Sequence, residues 1–142
     1  MLAKYKRILV AVDGSKQADK ALAEAVEIAK RNDAELFVVQ VIDDLRMLVH
    51  SATPMTQIMA EESRIAKEAF NQKRQTIDYA KAEFIVKDGN PKKELANGLP
   101  KQYAIDLIVM GATGKGAIER MLVGSTAAYV VNYAPCNVMI IK

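Results

Sequence analysis

Short, continuous apolar runs alternate with stretches of helical periodicity along this chain, and that alternation restricts the fold more than any other feature. Residues 7–12 (RILVAV), 35–42 (ELFVVQVI), 105–110 (IDLIVM) and 137–142 (NVMIIK) are runs of this kind, whereas residues 82–89 (AEFIVKDG) alternate more in polarity. A strand that is apolar on both faces suits a parallel sheet covered on both sides. Between the runs, Ala18, Ala21, Leu22, Ala25, Val26 and Ala29 recur at helical spacing, behind Ser15 as N-cap and ahead of Lys30 and Arg31. Such a segment buries one stripe, and its basic end complements the helix dipole.

The remaining connections are read in the same way. A long helix is expected from about Thr56 to Tyr79, with Ile65, Ala66, Ala69, Phe70, Ile77 and Ala80 on its apolar stripe. Asn90 and Pro91 start another helix, but Gly98 and Pro100 fall where its middle should be. An interior proline costs about 3 kcal/mol, so a kink or two short pieces are expected there. Ser125 opens a last helix that Pro135 closes. The order β-α-β-α-β-α-β-α-β predicts an α/β fold: a five-stranded parallel sheet in three layers, with helices on both faces and right-handed crossovers. With the first and fourth strands central, the strand order is 3-2-1-4-5. Residues 1–142 are expected to form one domain.

In such sheets ligands bind beyond the carboxyl ends of the strands, where the strand order reverses. The first strand ends there in Val12 and Asp13, and the fourth in Met110 and Gly111. Gly114 follows, and after nine intervening residues Gly124 and Ser125 open the last helix, with Thr126 beside them. Glycines allow close backbone approach and positive φ, and a helix N-terminus offers unpaired N–H groups to an anion. Lys115 and Arg120 would lend charge if turned inward. Taken alone, the glycines fit a phosphate cradle or plain turns, and Asp13 fits a ligand contact or a turn cap.

The spacing G-x2-G-x9-G-[ST], read as Gly111, Gly114, Gly124 and Ser125, resembles the nucleotide-binding motif of the universal stress protein family. The opening ILVAVDGS, the second-strand ending QVID, the segment DLIVMGATG and the closing APCNVMIIK resemble that family too, so the likeness spans nearly the whole chain. It implies a Rossmann-like fold of the adenine nucleotide alpha hydrolase type, a homodimer, and membership of the ATP-binding subgroup. By the same resemblance, Asp13 would meet the ribose or the Mg²⁺ on the phosphates, and Val41 would offer its backbone to adenine. Gly111 and Gly114 would line ribose and phosphates, and Gly124, Ser125 and Thr126 would hold the phosphate tail. Mg²⁺ would travel with ATP instead of occupying a protein cage.

Other classes lack their marks. There is no G-x4-G-K-[ST], and Glu119 stands where the third glycine of a dinucleotide fingerprint belongs. A phospho-receiver domain needs an acidic pair after the first strand, and only Asp13 is there. One cysteine, Cys136, and one histidine, His50, supply neither a disulfide nor a common metal cluster. The net charge of +3 without a basic cluster gives no nucleic-acid footprint, and no apolar stretch approaches a membrane span. A cytoplasmic location is expected. Three readings stay open: an ATP-dependent regulatory or stress-response module without catalytic residues, a slow ATPase or phosphotransfer enzyme, and a dimeric interaction protein without nucleotide. An enzyme would have to draw its water-positioning group from Asp13, Lys115, Glu119 and Arg120, to none of which the spacing gives that task. Met47, Met55 and Met59 are read as core filler. The apolar last strand, residues 137–142, predicts pairing with a second copy that buries Val138, Ile140 and Ile141.

Overall fold

A computed structural model describes residues 4–43, 53–114 and 122–142. The strands are β1 (Arg7–Ala11), β2 (Glu35–Asp43), β3 (Ala82–Gly89), β4 (Leu107–Gly111) and β5 (Asn137–Ile141). All neighbours pair in parallel, in the order β3-β2-β1-β4-β5. The two most uniformly apolar runs therefore lie side by side at the centre. Ile8, Leu9, Val10, Ile108 and Val109 have no solvent exposure.

Helix α1 (Lys16–Asn32) begins at Ser15, whose Oγ accepts from the N–H of Ala18 at 3.1 Å. All six predicted apolar positions of α1 are buried. They pack with Ile8, Val10, Leu36, Val38 and Phe70 on one face of the sheet. The opposite face, with Leu9, Phe37, Val39 and Ile108, is covered by helices from the second half of the chain. Right-handed crossovers that start from β1 in one direction and return past it in the other give this division.

Two helices differ from expectation. Helix α2 (Thr53–Gln75) starts and stops earlier than predicted. The N–H and Oγ1 of Thr76 both turn onto the carbonyl of Lys73, and Ile77 N–H follows onto Arg74, so the α-helical ladder ends there. Of the predicted stripe, Phe70 is buried, whereas Ile65 stands 53% exposed. Helix α3 has the two short α-helical pieces expected, but a π-helical stretch joins them. It runs as an α-turn (Pro91–Lys93), a π-helical stretch (Glu94–Gly98) and a second α-turn (Leu99–Gln102). Leu99 N–H reaches back five residues to the carbonyl of Glu94, and this wider turn absorbs Pro100, which has no N–H to give. Helix α4 (Ser125–Tyr133) leads into β5. No helix among the described residues is long and apolar enough to cross a membrane.

Candidate functional site

Each junction from a strand into the following helix lies at the same end of a parallel sheet. β1 ends in the turn Asp13-Gly14-Ser15. Asp13 Oδ1 accepts from the N–H of Ser15 at 2.9 Å, and Gly14 takes φ of 84°. This is an Asx turn, so the capping role of Asp13 is real. The same side chain also borders the cavity described below, and its Oδ2 lies 2.6 Å from where a β-carbon on Gly114 would sit.

Beyond β4 the chain is fixed by three separate elements. Ala112 N–H donates to Ile141 of β5 at 2.8 Å, and the Ala112 carbonyl accepts from Gly124 N–H at 2.6 Å. Thr113 N–H donates to Gln17 Oε1 of α1 at 2.7 Å. Gly111 lies so near α1 that a β-carbon would stand 3.0 Å from the backbone carbon of Gln17. Gly124 caps α4 without a side-chain hydrogen bond. The first-turn N–H groups of a helix have no intrahelical partner, and here nothing on the cap residue supplies one.

The positive φ expected of the motif glycines is not what they provide. Gly124 has φ of −72°, and the left-handed conformation belongs to Gly14 and Gly89. Gly111, Gly114 and Gly124 serve by their missing side chains, because α1, Asp13 and Ala112 occupy the space beside them.

These parts enclose a cavity of about 330 Å³. All nine predicted site residues line it: Val12, Asp13, Val41, Met110, Gly111, Gly114, Gly124, Ser125 and Thr126. On the β2 side the wall is apolar, from Val41 with Pro91 and Leu95 of α3. On the β4 side it consists of the glycine loop and the first turn of α4. Pairing of β1 with β2 ends at Ala11 and Val39, and Val39 accepts from Val12 N–H at 2.9 Å. Val41, two residues further on, directs its backbone groups to that same side, past the end of β1. Among the described lining residues Asp13 alone carries a charge.

Sequence reasoning missed Pro91, Leu95, Thr113 and Gln17. Pro91 and Leu95 were recoverable from topology, since the β3–α3 junction must open at the same end as the others. Lys115, Glu119, Arg120, His50 and Met47 lie outside the described residues, as do the side chains of Met55 and Met59. Cys136 is away from the cavity and packs partly buried against the α3–α4 layer. Burial, with Asp106 nearby, raises its thiol pKa. No cluster of three metal-ligating side chains occurs among the described residues.

The sequence profile of the universal stress protein family matches residues 4–142. The chain belongs to the universal stress protein family. A universal stress protein assigned in Staphylococcus haemolyticus is 34% identical over an alignment of 142 positions that covers 97% of this chain and 85% of that one. The universal stress protein UspA from Lactobacillus plantarum is 38% identical, with a TM-score of 0.84 over 99% of this chain and 100% of its own. A likeness of fold alone extends to a universal stress protein from Archaeoglobus fulgidus, in complex with dAMP, at 24% identity and a TM-score of 0.64, over 98% of this chain and 99% of that one.

Proposed function

We propose that this universal stress protein binds ATP with Mg²⁺ and acts as a nucleotide-dependent regulatory module. The observation that carries the reading is the meeting, in one cavity, of an apolar wall at Val41 and Leu95, the carboxylate of Asp13 and the uncapped start of α4. Its volume falls in the range of small-molecule sites. An adenine ring would sit on the β2 side, with the backbone of Val41 open to its edge. Phosphates would lie toward Gly114, Gly124, Ser125 and Thr126, where the positive end of the helix dipole favours an anion. A single carboxylate with phosphate oxygens and water is an ordinary Mg²⁺ environment, and Asp13 fits it. The A. fulgidus fold relative, which holds dAMP, is in keeping with an adenine nucleotide.

Ligand state would alter the start of α4 and, through Ala112, the last residue of β5. That strand is the sheet edge, and we extend the reading to a homodimer formed along it. Val138 and Ile140 pack partly buried on the α3–α4 side and Ile141 on the α1 side, and Met139, 37% exposed, is a further apolar group for a second copy. Edge pairing would satisfy the outer backbone groups of β5.

The test is calorimetric titration with Mg²⁺-ATP of the wild type and of a Gly114→Val, Gly124→Val double variant, with light scattering and ADP assay on the same samples. The added side chains press on Asp13 and Ala112 and leave the central strands alone. The expected result is wild-type binding, loss of about a hundredfold or more in the folded variant, negligible ADP, and a mass twice the 15.6 kDa chain. Rapid ADP release would replace the regulatory reading with the ATPase one. Absence of binding by wild-type protein stripped of nucleotide would overturn both.

A further inference from the structure

The glycine loop leaves β4 through two anchored peptides. The Gly111–Ala112 peptide donates its N–H to Ile141. The Ala112–Thr113 peptide is held at both ends: its carbonyl accepts from Gly124 N–H, and its N–H is taken by Gln17 Oε1 across 96 residues of sequence. Gln17 is the second residue of α1 and does not itself line the cavity, whereas Thr113 and Gly114 do.

Several constraints make this contact stiff. Ser15 caps α1, and Ala18 and Ala21 bury its face against the sheet. The backbone of Gln17 abuts Gly111 without room for a β-carbon between them. A glutamine at the second helical position would otherwise lie along its own helix or in water. Here it spans from the helix to the N–H of the peptide whose carbonyl receives Gly124 at the start of α4, so it sets the tilt of that peptide. A half-buried peptide N–H that loses its acceptor turns toward another, and the loop turns with it.

The geometry points to Gln17 as a positioning residue for the phosphate-facing loop, acting through Thr113. This rests on the nucleotide reading above and adds to it a division of labour. The base-side wall at Val41 and Leu95 has no hydrogen bond to Gln17, so the residue would matter for ligands with phosphates and not for the nucleoside alone.

The experiment compares wild type, Gln17→Leu and Gln17→Glu. Leucine keeps the helix propensity and removes the acceptor, and glutamate keeps an acceptor oxygen at the same reach. Amide exchange at Thr113 is read without ligand, and Mg²⁺-ATP and adenosine are titrated separately. Expected are faster Thr113 exchange in Gln17→Leu, its restoration in Gln17→Glu, and ATP binding weakened about five- to tenfold in Gln17→Leu, the worth of one hydrogen bond. Adenosine binding should stay within about twofold of wild type. Equal weakening of ATP and adenosine, or no change in either, overturns the positioning role while leaving the nucleotide reading intact. Unchanged Thr113 exchange in Gln17→Leu overturns it as well. A wild type that binds neither ligand overturns the nucleotide reading, and the positioning role falls with it.

Discussion

The two ends of the sheet both carry a hollow, and the one at the amino ends is the less promising. At the amino ends of the strands a depression of about 550 Å³ is lined by Lys4, Tyr5, Lys6, Asn32, Asp33, Glu35 and Lys81. At the carboxyl ends the cavity is about 330 Å³. At the amino ends several polar groups are already engaged. Tyr5 N–H donates to Asn32 Oδ1 at 3.1 Å, and Lys6 and Arg7 N–H donate to Asp106 at 2.8 and 3.1 Å. Lys81 Nζ lies 2.7 Å from Asp33 Oδ1. At the carboxyl ends, small residues expose the first turn of α4, and its cap contributes no side-chain bond. The helices add to the contrast. Their N-termini gather at the carboxyl end of the sheet, and the basic last turns of α1 (Lys30, Arg31) and α2 (Lys73, Arg74) lie at the other. Unspent donors and converging dipoles, more than open volume, mark a site for an anion.

The contrast predicts that changes at the carboxyl end alter affinity and that changes at the amino end alter stability alone. Gly111→Ala has the largest expected effect. Its β-carbon would stand 3.0 Å from both the backbone carbon and the β-carbon of Gln17, and a helix backbone does not swing aside as a side-chain tip would. Parting α1 from β4 should cost about 1–3 kcal/mol in urea unfolding, as overpacking does. ATP affinity should fall about tenfold in the still-folded protein, since Thr113 loses its register with Gln17. A variant with reduced stability and wild-type affinity would break the contrast.

How much of this could be read from the sequence depends on how local each cause is. The centre of the sheet was legible because residues 7–12 and 105–110 are apolar on both faces, which suits interior strands of a parallel sheet, although the apolar run 137–142 forms the edge strand β5. Ser15 was legible as a cap because its partner, Ala18, lies three residues away. Most of the nine predicted lining residues were legible because chain order and the strand-end rule bring Asp13, Gly111 and Gly124 to one crevice, whereas Val41 came from the family resemblance alone. The course of α3 was not. Pro100 signals a break, but whether a chain kinks or widens into a π-turn depends on how Leu95, Ala96 and Leu99 pack, and all three are buried. Ile65 was misassigned because helical spacing gives a stripe without saying how far along the helix the sheet extends beneath it. The Gln17–Thr113 contact joins residues 96 apart, and neither has a periodicity that announces it.

At the amino end, Tyr79→Phe should give an intermediate effect and sharpen the contrast. The Tyr79 hydroxyl donates toward the carbonyls of Ala29 and Ala34, where α1 turns into β2, and both alanines are buried. Its loss should cost about 1 kcal/mol. Burial raises the Tyr79 pKa above the ordinary 10.0, with Lys81 opposing and Asp33 adding to the rise. A raised folded-state pKa means that the contribution is complete below the unfolded value and is lost as pH rises through the folded one. The wild type should therefore lead the variant at neutral pH and lose that lead in strong alkali. ATP affinity should be the same in both proteins.

Asp33→Asn should have the smallest effect, and it is the most direct probe of whether the amino-end depression is only structural. Asp33 closes α1 with φ of 53°, a left-handed conformation that asparagine also accepts, so the helix end should survive the change. What is removed is the ion pair with Lys81. The hydrogen bond from Lys81, and then its charge, hold the Asp33 pKa below the ordinary 3.8, while the same contact raises that of Lys81 above 10.5. The depressed carboxylate contributes above its unfolded pKa and ceases to as pH falls through its folded value, and the raised ammonium ceases to as pH climbs through its own. The difference in urea midpoint between wild type and variant should thus be small at neutral pH, shrink as pH falls below the ordinary 3.8 toward the depressed folded value, and vanish in strong alkali. Both partners are solvent-exposed, so salt should shrink it further. ATP titration should not distinguish the two proteins. An affinity change in Asp33→Asn without a change in stability would mean that the charged depression communicates with the crevice through α1, the element that carries both Asp33 at one end and Gln17 at the other.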